Sequence, residues 1–123
     1  MRYLTDRKRA VGKGASHTGT EHHWYMQISA VALAFLLPVW VYIFGHAIGQ
    51  GHEAVVATFA RPFPAILTGL VLFVSMRHFA KGAQMMIEDY SHGYTRKALV
   101  IAAISLSYVV IATGLFALAR IAL

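Results

Sequence analysis

From residue 27 to the C-terminus the chain is built from three long apolar blocks, with its polar residues gathered between them. The first, QISAVALAFLLPVWVYIFGHAIG, covers residues 27–49; the second, PAILTGLVLFVSMRHFAKGAQMMI, covers 64–87; the third occupies 98–121. A bilayer is crossed by about 20 mostly apolar residues rising 1.5 Å each, so every block predicts a membrane-spanning helix. A soluble bundle would need a polar stripe along each helix, and the third block has no ionisable group before Arg120. Pro38 interrupts the first block, which membrane helices tolerate because neighbours or local geometry satisfy the freed carbonyl. The predicted fold is an all-α membrane protein: a basic arm over residues 1–26 and a three-helix membrane domain over 27–123.

Composition agrees. Hydrophobic residues make up 58% of the 123 and charged ones 13%, against about half and a quarter in soluble domains. There is no cysteine, which excludes disulfides, thiolate metal sites, iron–sulfur ligation and cysteine nucleophiles for this chain. The formal charge of +6 does not form a nucleic-acid face. Arg2, Arg7, Lys8, Arg9 and Lys13 precede the first block, Arg96 and Lys97 lie in the second connection, and the first connection has only Arg61. Positive residues stay on the cytoplasmic side, so the N-terminus is expected inside and the C-terminus outside. The apolar run of the first block exceeds that of a cleaved signal peptide, so it is read as retained. A basic, acid-poor beginning is also compatible with an organellar transit sequence. Gly12, Gly14, Ser16 and Gly19 predict a flexible arm; Trp24, which ends TEHHW, and Tyr25 suit the membrane interface.

The second block carries polar chemistry where charge is costly. Arg77, His78 and Lys81 lie within it, and Glu88, Asp89 and Tyr90 end it. Arg or Lys at the centre of a spanning helix costs about 2.5–3.5 kcal/mol on insertion scales, which makes such residues functional candidates. At 100° per residue His78 and Asp89 share a face, about 16 Å apart along the axis. Gly82 lies one turn from His78 and clears space for a bulky planar group or a closely packed helix. Two readings of His78 follow: a haem iron ligand, or an interhelical hydrogen-bond partner. Arg77 and Lys81 can snorkel along their apolar stems. The chain offers only this one histidine at depth, so bis-histidine ligation would take its second imidazole from another polypeptide. His22 and His23 have the simpler reading of solvated interfacial residues.

The element His78-x3-Gly82-x6-Asp89-Tyr90 on the second of three spans, with the GTEHHW approach to the first, resembles the smaller hydrophobic membrane anchor subunit of succinate dehydrogenase, respiratory complex II. The resemblance covers nearly the whole chain. It implies that His78 is one axial ligand of a haem b shared with a cytochrome b556-type anchor, and that Asp89 and Tyr90 lie at a ubiquinone site near the inner surface. It implies a place for His22 near the haem propionates. Ile28 stands where related anchors often carry an arginine for those propionates; Arg77 or Lys81 are the substitutes available. The resemblance further implies partners, an iron–sulfur subunit and a flavoprotein subunit, and a place in the bacterial cell inner membrane, with the mitochondrial inner membrane as the alternative. In this division of labour the chain does no succinate chemistry and helps pass electrons from succinate oxidation to the quinone pool.

Two other classes are compatible with parts of the sequence. A haem-free structural anchor would leave His78 dispensable. A small proton-coupled transporter would need a carboxylate within a span, whereas every acidic residue here lies at a helix end or in a connection. The expected topology has a direct test, because the chain has no cysteine of its own. A single cysteine placed in the 88–97 connection should react with a membrane-impermeant thiol reagent only from the cytoplasmic side; labelling from outside would contradict the assignment.

Overall fold

The computed structural model describes residues 3–14 and 19–123; Arg2 of the basic arm and Ser16 of its glycine–serine stretch lie outside the described residues. Five helices follow in order: α1 (Asp6–Val11), α2 (Glu21–Ile48), α3 (His52–Phe59), α4 (Pro62–Tyr90) and α5 (Gly93–Ala122). Among the described residues there is no strand. α2, α4 and α5 are each long and apolar enough to cross a membrane. Their large apolar side chains face outward: Phe35 is 73% exposed, Ile66 71% and Phe116 66%. Such a surface suits lipid or a partner helix, and the backbone polar groups behind it are satisfied within each helix.

The helices outrun the blocks seen in the sequence. α2 begins at Glu21, so residues 21–26, read as the end of the arm, are helical. α4 continues through Glu88 and Asp89 to Tyr90, and α5 starts at Gly93, which reduces the second connection to Ser91 and His92. Hydropathy measures the length of chain immersed in hydrocarbon. Polar residues just beyond it sit among headgroups and water, where charge is tolerated and the helix goes on. The reversal uses Gly93 at φ +61, a backbone region open to glycine, and Arg96 Nε donates to the Ser91 carbonyl over 2.8 Å. The first connection also contains structure: α3 folds against α2 with Phe59 buried and its ring 6.2 Å from that of Phe44. In the arm, α1 is a short helix capped by Thr5, whose Oγ1 accepts from the Lys8 N–H at 3.2 Å.

α4 is the central element. It packs against both α2 and α5, whose backbones do not come close to each other. Two hydrogen bonds tie it to α2. Trp40 Nε1 donates to Thr68 Oγ1 at 3.0 Å, and the Thr68 hydroxyl donates to the Pro64 carbonyl at 2.7 Å. Nearer the N-terminal end of α2, Ser29 Oγ meets His78 Nδ1 at 2.7 Å. The contact with α5 relies on small residues. The Leu115 and Leu118 side chains approach the Cα of Gly69, and Leu72 covers Gly114 so closely that a Cβ there would collide with its Cδ2. Small residues let helix backbones approach where the hydrophobic effect supplies no drive between them.

A graded response at Gly114 follows. Gly114→Ala can be absorbed by rotation of Leu72, whereas Gly114→Ile forces α4 and α5 apart. Overpacking of a close core costs about 1–3 kcal/mol, so the isoleucine variant should lower the thermal stability of the solubilised protein well below that of the alanine variant. Equal stability of wild type and Gly114→Ile would show that this contact is not close.

Candidate functional site at the α2–α4 groove

His78 owes its orientation to the register between α2 and α4. It lies near the middle of the 29-residue α4, about 18 Å of helix from Tyr90. Its ring is half-buried, and its Nδ1 is bound to Ser29. Ser29 is 4% exposed and also lies 2.8 Å from the Tyr25 carbonyl and 3.1 Å from the Met26 carbonyl, one turn back on its own helix. The other ring nitrogen, Nε2, has no hydrogen bond to another described residue and is the atom free to take a ligand. Gly82, one turn along α4, faces Met26: a Cβ there would meet the Met26 Cε at 3.6 Å, an ordinary contact. The glycine thus sits where α2 comes close, immediately beside the imidazole.

Below this point the groove becomes polar. Glu21, His22 and Tyr25 from α2 and Lys81 from α4 line an open cavity of about 390 Å³. His22 Nε2 is buried there without a hydrogen-bond partner, and an unpaired buried polar atom costs about 1–3 kcal/mol. A polar group entering this cavity would relieve that cost; the border carries one charge of each sign, the Lys81 ammonium and the Glu21 carboxylate. His23, one residue on, is exposed.

The cations of α4 are divided. Consecutive residues point 100° apart around a helix, so with His78 aimed at α2, Arg77 reaches α5. Its Nη1 donates to the Tyr108 hydroxyl at 2.9 Å, and its guanidinium carbon lies 5.8 Å from that ring's centroid. Lys81 borders both this α4–α5 pocket and the α2–α4 cavity. The structure therefore brings His22, Lys81 and His78 to one groove and sets Arg77 on the neighbouring one. Among the described residues no three histidines or carboxylates cluster as a metal site; a metal held here would rest on one imidazole from this chain.

A family profile described as "Succinate dehydrogenase/Fumarate reductase transmembrane subunit" matches residues 1–116. The chain belongs to that family. It is 49% identical over 123 residues to the succinate dehydrogenase hydrophobic membrane anchor subunit of Paracoccus denitrificans, a match covering 100% of this chain and 95% of that protein. No solved structure matches it.

As a succinate dehydrogenase/fumarate reductase membrane anchor, the chain also carries polar chemistry at the C-terminal end of α4. Asp89 and Tyr90 close α4; both are exposed, Tyr90 at 84%, and neither has a hydrogen bond or ion pair with another described residue. One turn earlier the Gln84 Nε2 donates to Glu88 Oε1 at 2.8 Å, so Asp89 is the unengaged carboxylate of the pair. Ile28 lies 53% exposed on the outward side of α2, in an apolar groove with Trp24, Gln27 and Val31. Sequence reasoning singled out His78 and passed over its two structural dependents, Ser29 for the imidazole and Tyr108 for Arg77. The available signal was modest: each is a polar residue inside an apolar span, which in hydrocarbon implies a partner on another helix.

Proposed function

We propose that this chain is the hydrophobic anchor of a bacterial succinate:quinone oxidoreductase, in the cell inner membrane with its N-terminus inside. There it helps hold a haem b through His78 and ubiquinone through Asp89 and Tyr90. The observation that carries the reading is the His78 imidazole, set at mid-span and held by one nitrogen with the other unengaged. The donor set fits a haem. Imidazole is an axial ligand of haem iron, Gly82 puts no side chain beside the ring, and His22 and Lys81 offer polar partners for propionates at a rim that Glu21 also borders. Arg77 remains a propionate candidate only by leaving Tyr108.

A haem held by His78 would supply a one-electron redox centre. The protein's share is placement. His78 fixes the ligand position in the membrane, and the α2–α4 groove keeps one side of it dry. Tyr90, amphipathic and at the boundary, presents a hydroxyl able to donate to a quinone carbonyl, while the isoprenoid tail stays in lipid. Asp89, at the aqueous edge, orients that hydroxyl or relays protons to the reduced quinone. The outward apolar faces accommodate a second anchor subunit of cytochrome b556 type, which would bring the other imidazole. Succinate oxidation belongs to flavoprotein and iron–sulfur subunits docked on the inner side.

Substitutions separate the two sites. In the complex purified from its native membrane, His78→Ala should abolish or alter the low-spin haem spectrum while the subunits still co-purify; an unchanged spectrum would leave a haem-free structural anchor or a different ligand. Tyr90→Phe keeps the ring and deletes one hydrogen bond worth about 0.5–1.5 kcal/mol, so quinone turnover should fall about two- to tenfold. Succinate oxidation with an artificial acceptor, and the haem spectrum, should persist. If Tyr90→Phe and Asp89→Asn both kept wild-type quinone turnover and inhibitor sensitivity, the quinone site would lie on other residues.

A further inference from the structure

The geometry around Ser29 bears on which nitrogen of His78 carries its proton. The Ser29 hydroxyl has one hydrogen to donate and two lone pairs to accept with. Three groups compete for it: the Tyr25 carbonyl at 2.8 Å, the Met26 carbonyl at 3.1 Å and His78 Nδ1 at 2.7 Å. The carbonyls can only accept. Ser29 is 4% exposed, so water does not compete for either. If the hydroxyl proton goes back one turn to the carbonyls, as serine does within helices, the oxygen is left as an acceptor and Nδ1 must bring the hydrogen. If the proton went to Nδ1, Nε2 would carry the ring hydrogen and have no lone pair for a metal.

We infer that Ser29 is a positioning residue: it accepts from the Nδ1–H of His78, fixes the tautomer with the lone pair on Nε2, and aims that lone pair out of the α2–α4 contact. Metal-bound histidines commonly donate their second N–H to such an acceptor, which sets the tautomer and raises the ligand's basicity. The inference deepens the haem-ligand reading of His78 and rests on it for its electronic consequence. The tautomer itself does not depend on haem. A more basic imidazole favours the ferric state, so the bond to Ser29 holds the haem potential down. Ser29→Ala removes the acceptor, leaves two carbonyls that Nδ1 does not reach, and returns the ring to its own tautomer preference.

Two measurements decide the matter. The first uses the full chain, labelled with 15N-histidine and reconstituted in lipid bilayers without haem. Its solid-state NMR spectrum should show His78, assigned by difference from His78→Gln, as the Nδ1–H tautomer. Ser29→Ala should shift it toward Nε2–H, and Ser29→Thr, which keeps the hydroxyl, should restore it. An Nε2–H ring in the wild-type chain would overturn the inference whether or not His78 binds haem. The second uses the complex from its native membrane. Redox titration should show the haem potential displaced upward in Ser29→Ala with haem content retained, and back near the wild-type value in Ser29→Thr. An unmoved potential in Ser29→Ala would remove the tuning role while leaving His78 a ligand. Loss of the ligand reading itself would appear separately, as a wild-type haem spectrum in His78→Ala.

Discussion

The register between α2 and α4 is fixed by two hydrogen bonds that span the membrane-embedded contact. Trp40 to Thr68 sets one half and Ser29 to His78 the other, about 16 Å apart along α2. Each is modest: interhelical hydrogen bonds in membranes contribute about 0.6 kcal/mol on average and up to about 1.7. Their importance lies in direction. Leucines and valines would pack almost equally well after a small slide or rotation, whereas these bonds are satisfied in one arrangement. That arrangement leaves Nε2 of His78 without a hydrogen bond to another described residue and brings His22 and Lys81 to the same groove.

The two sides of α4 solve different problems. Toward α2 it uses hydrogen bonds, and toward α5 it uses close approach at Gly69 and Gly114 together with the Arg77 to Tyr108 bond. The latter gives a guanidinium at mid-span both a hydrogen-bond acceptor and an aromatic face, which lessens the cost of a charge there. It also keeps Arg77 away from the groove that holds His78. Because α2 and α5 flank α4 with their backbones apart, the three helices leave broad apolar faces uncovered. Outward aromatics such as Phe35 and Phe116, and the unengaged Asp89 and Tyr90, are what a chain that completes its sites with another subunit should present.

Much of this is legible in the residues. Three long apolar blocks, the third without an ionisable group before Arg120, point to membrane-spanning helices, and HxxxG followed by AspTyr on one span locates the polar chemistry on α4. The limits have physical causes. Helix ends at Glu21 and Tyr90 escape a hydropathy reading because headgroups permit polar residues without ending the helix. α3 escapes because its eight residues are too short to stand out and it is stabilised by packing Phe59 against Phe44. Arg77 and Lys81 are equivalent as cations in a string; only the 100° step between neighbours, combined with the placement of α5, sends Arg77 to Tyr108 and leaves Lys81 at the groove. Ser29 gives only the modest signal of a polar residue inside an apolar span, because its role depends on a residue 49 positions away.

The central claim is that α4, held in register by α2, delivers His78 through Nε2 to a haem shared with a second anchor subunit. It is tested most directly by a structure of the intact complex taken from its native membrane. The account predicts His78 Nε2 bonded to the haem iron, Nδ1 still on Ser29, and an imidazole from the partner anchor on the opposite face of the haem. A haem ligated by two residues of other subunits, or a His78 ring with both nitrogens engaged by protein, would contradict it.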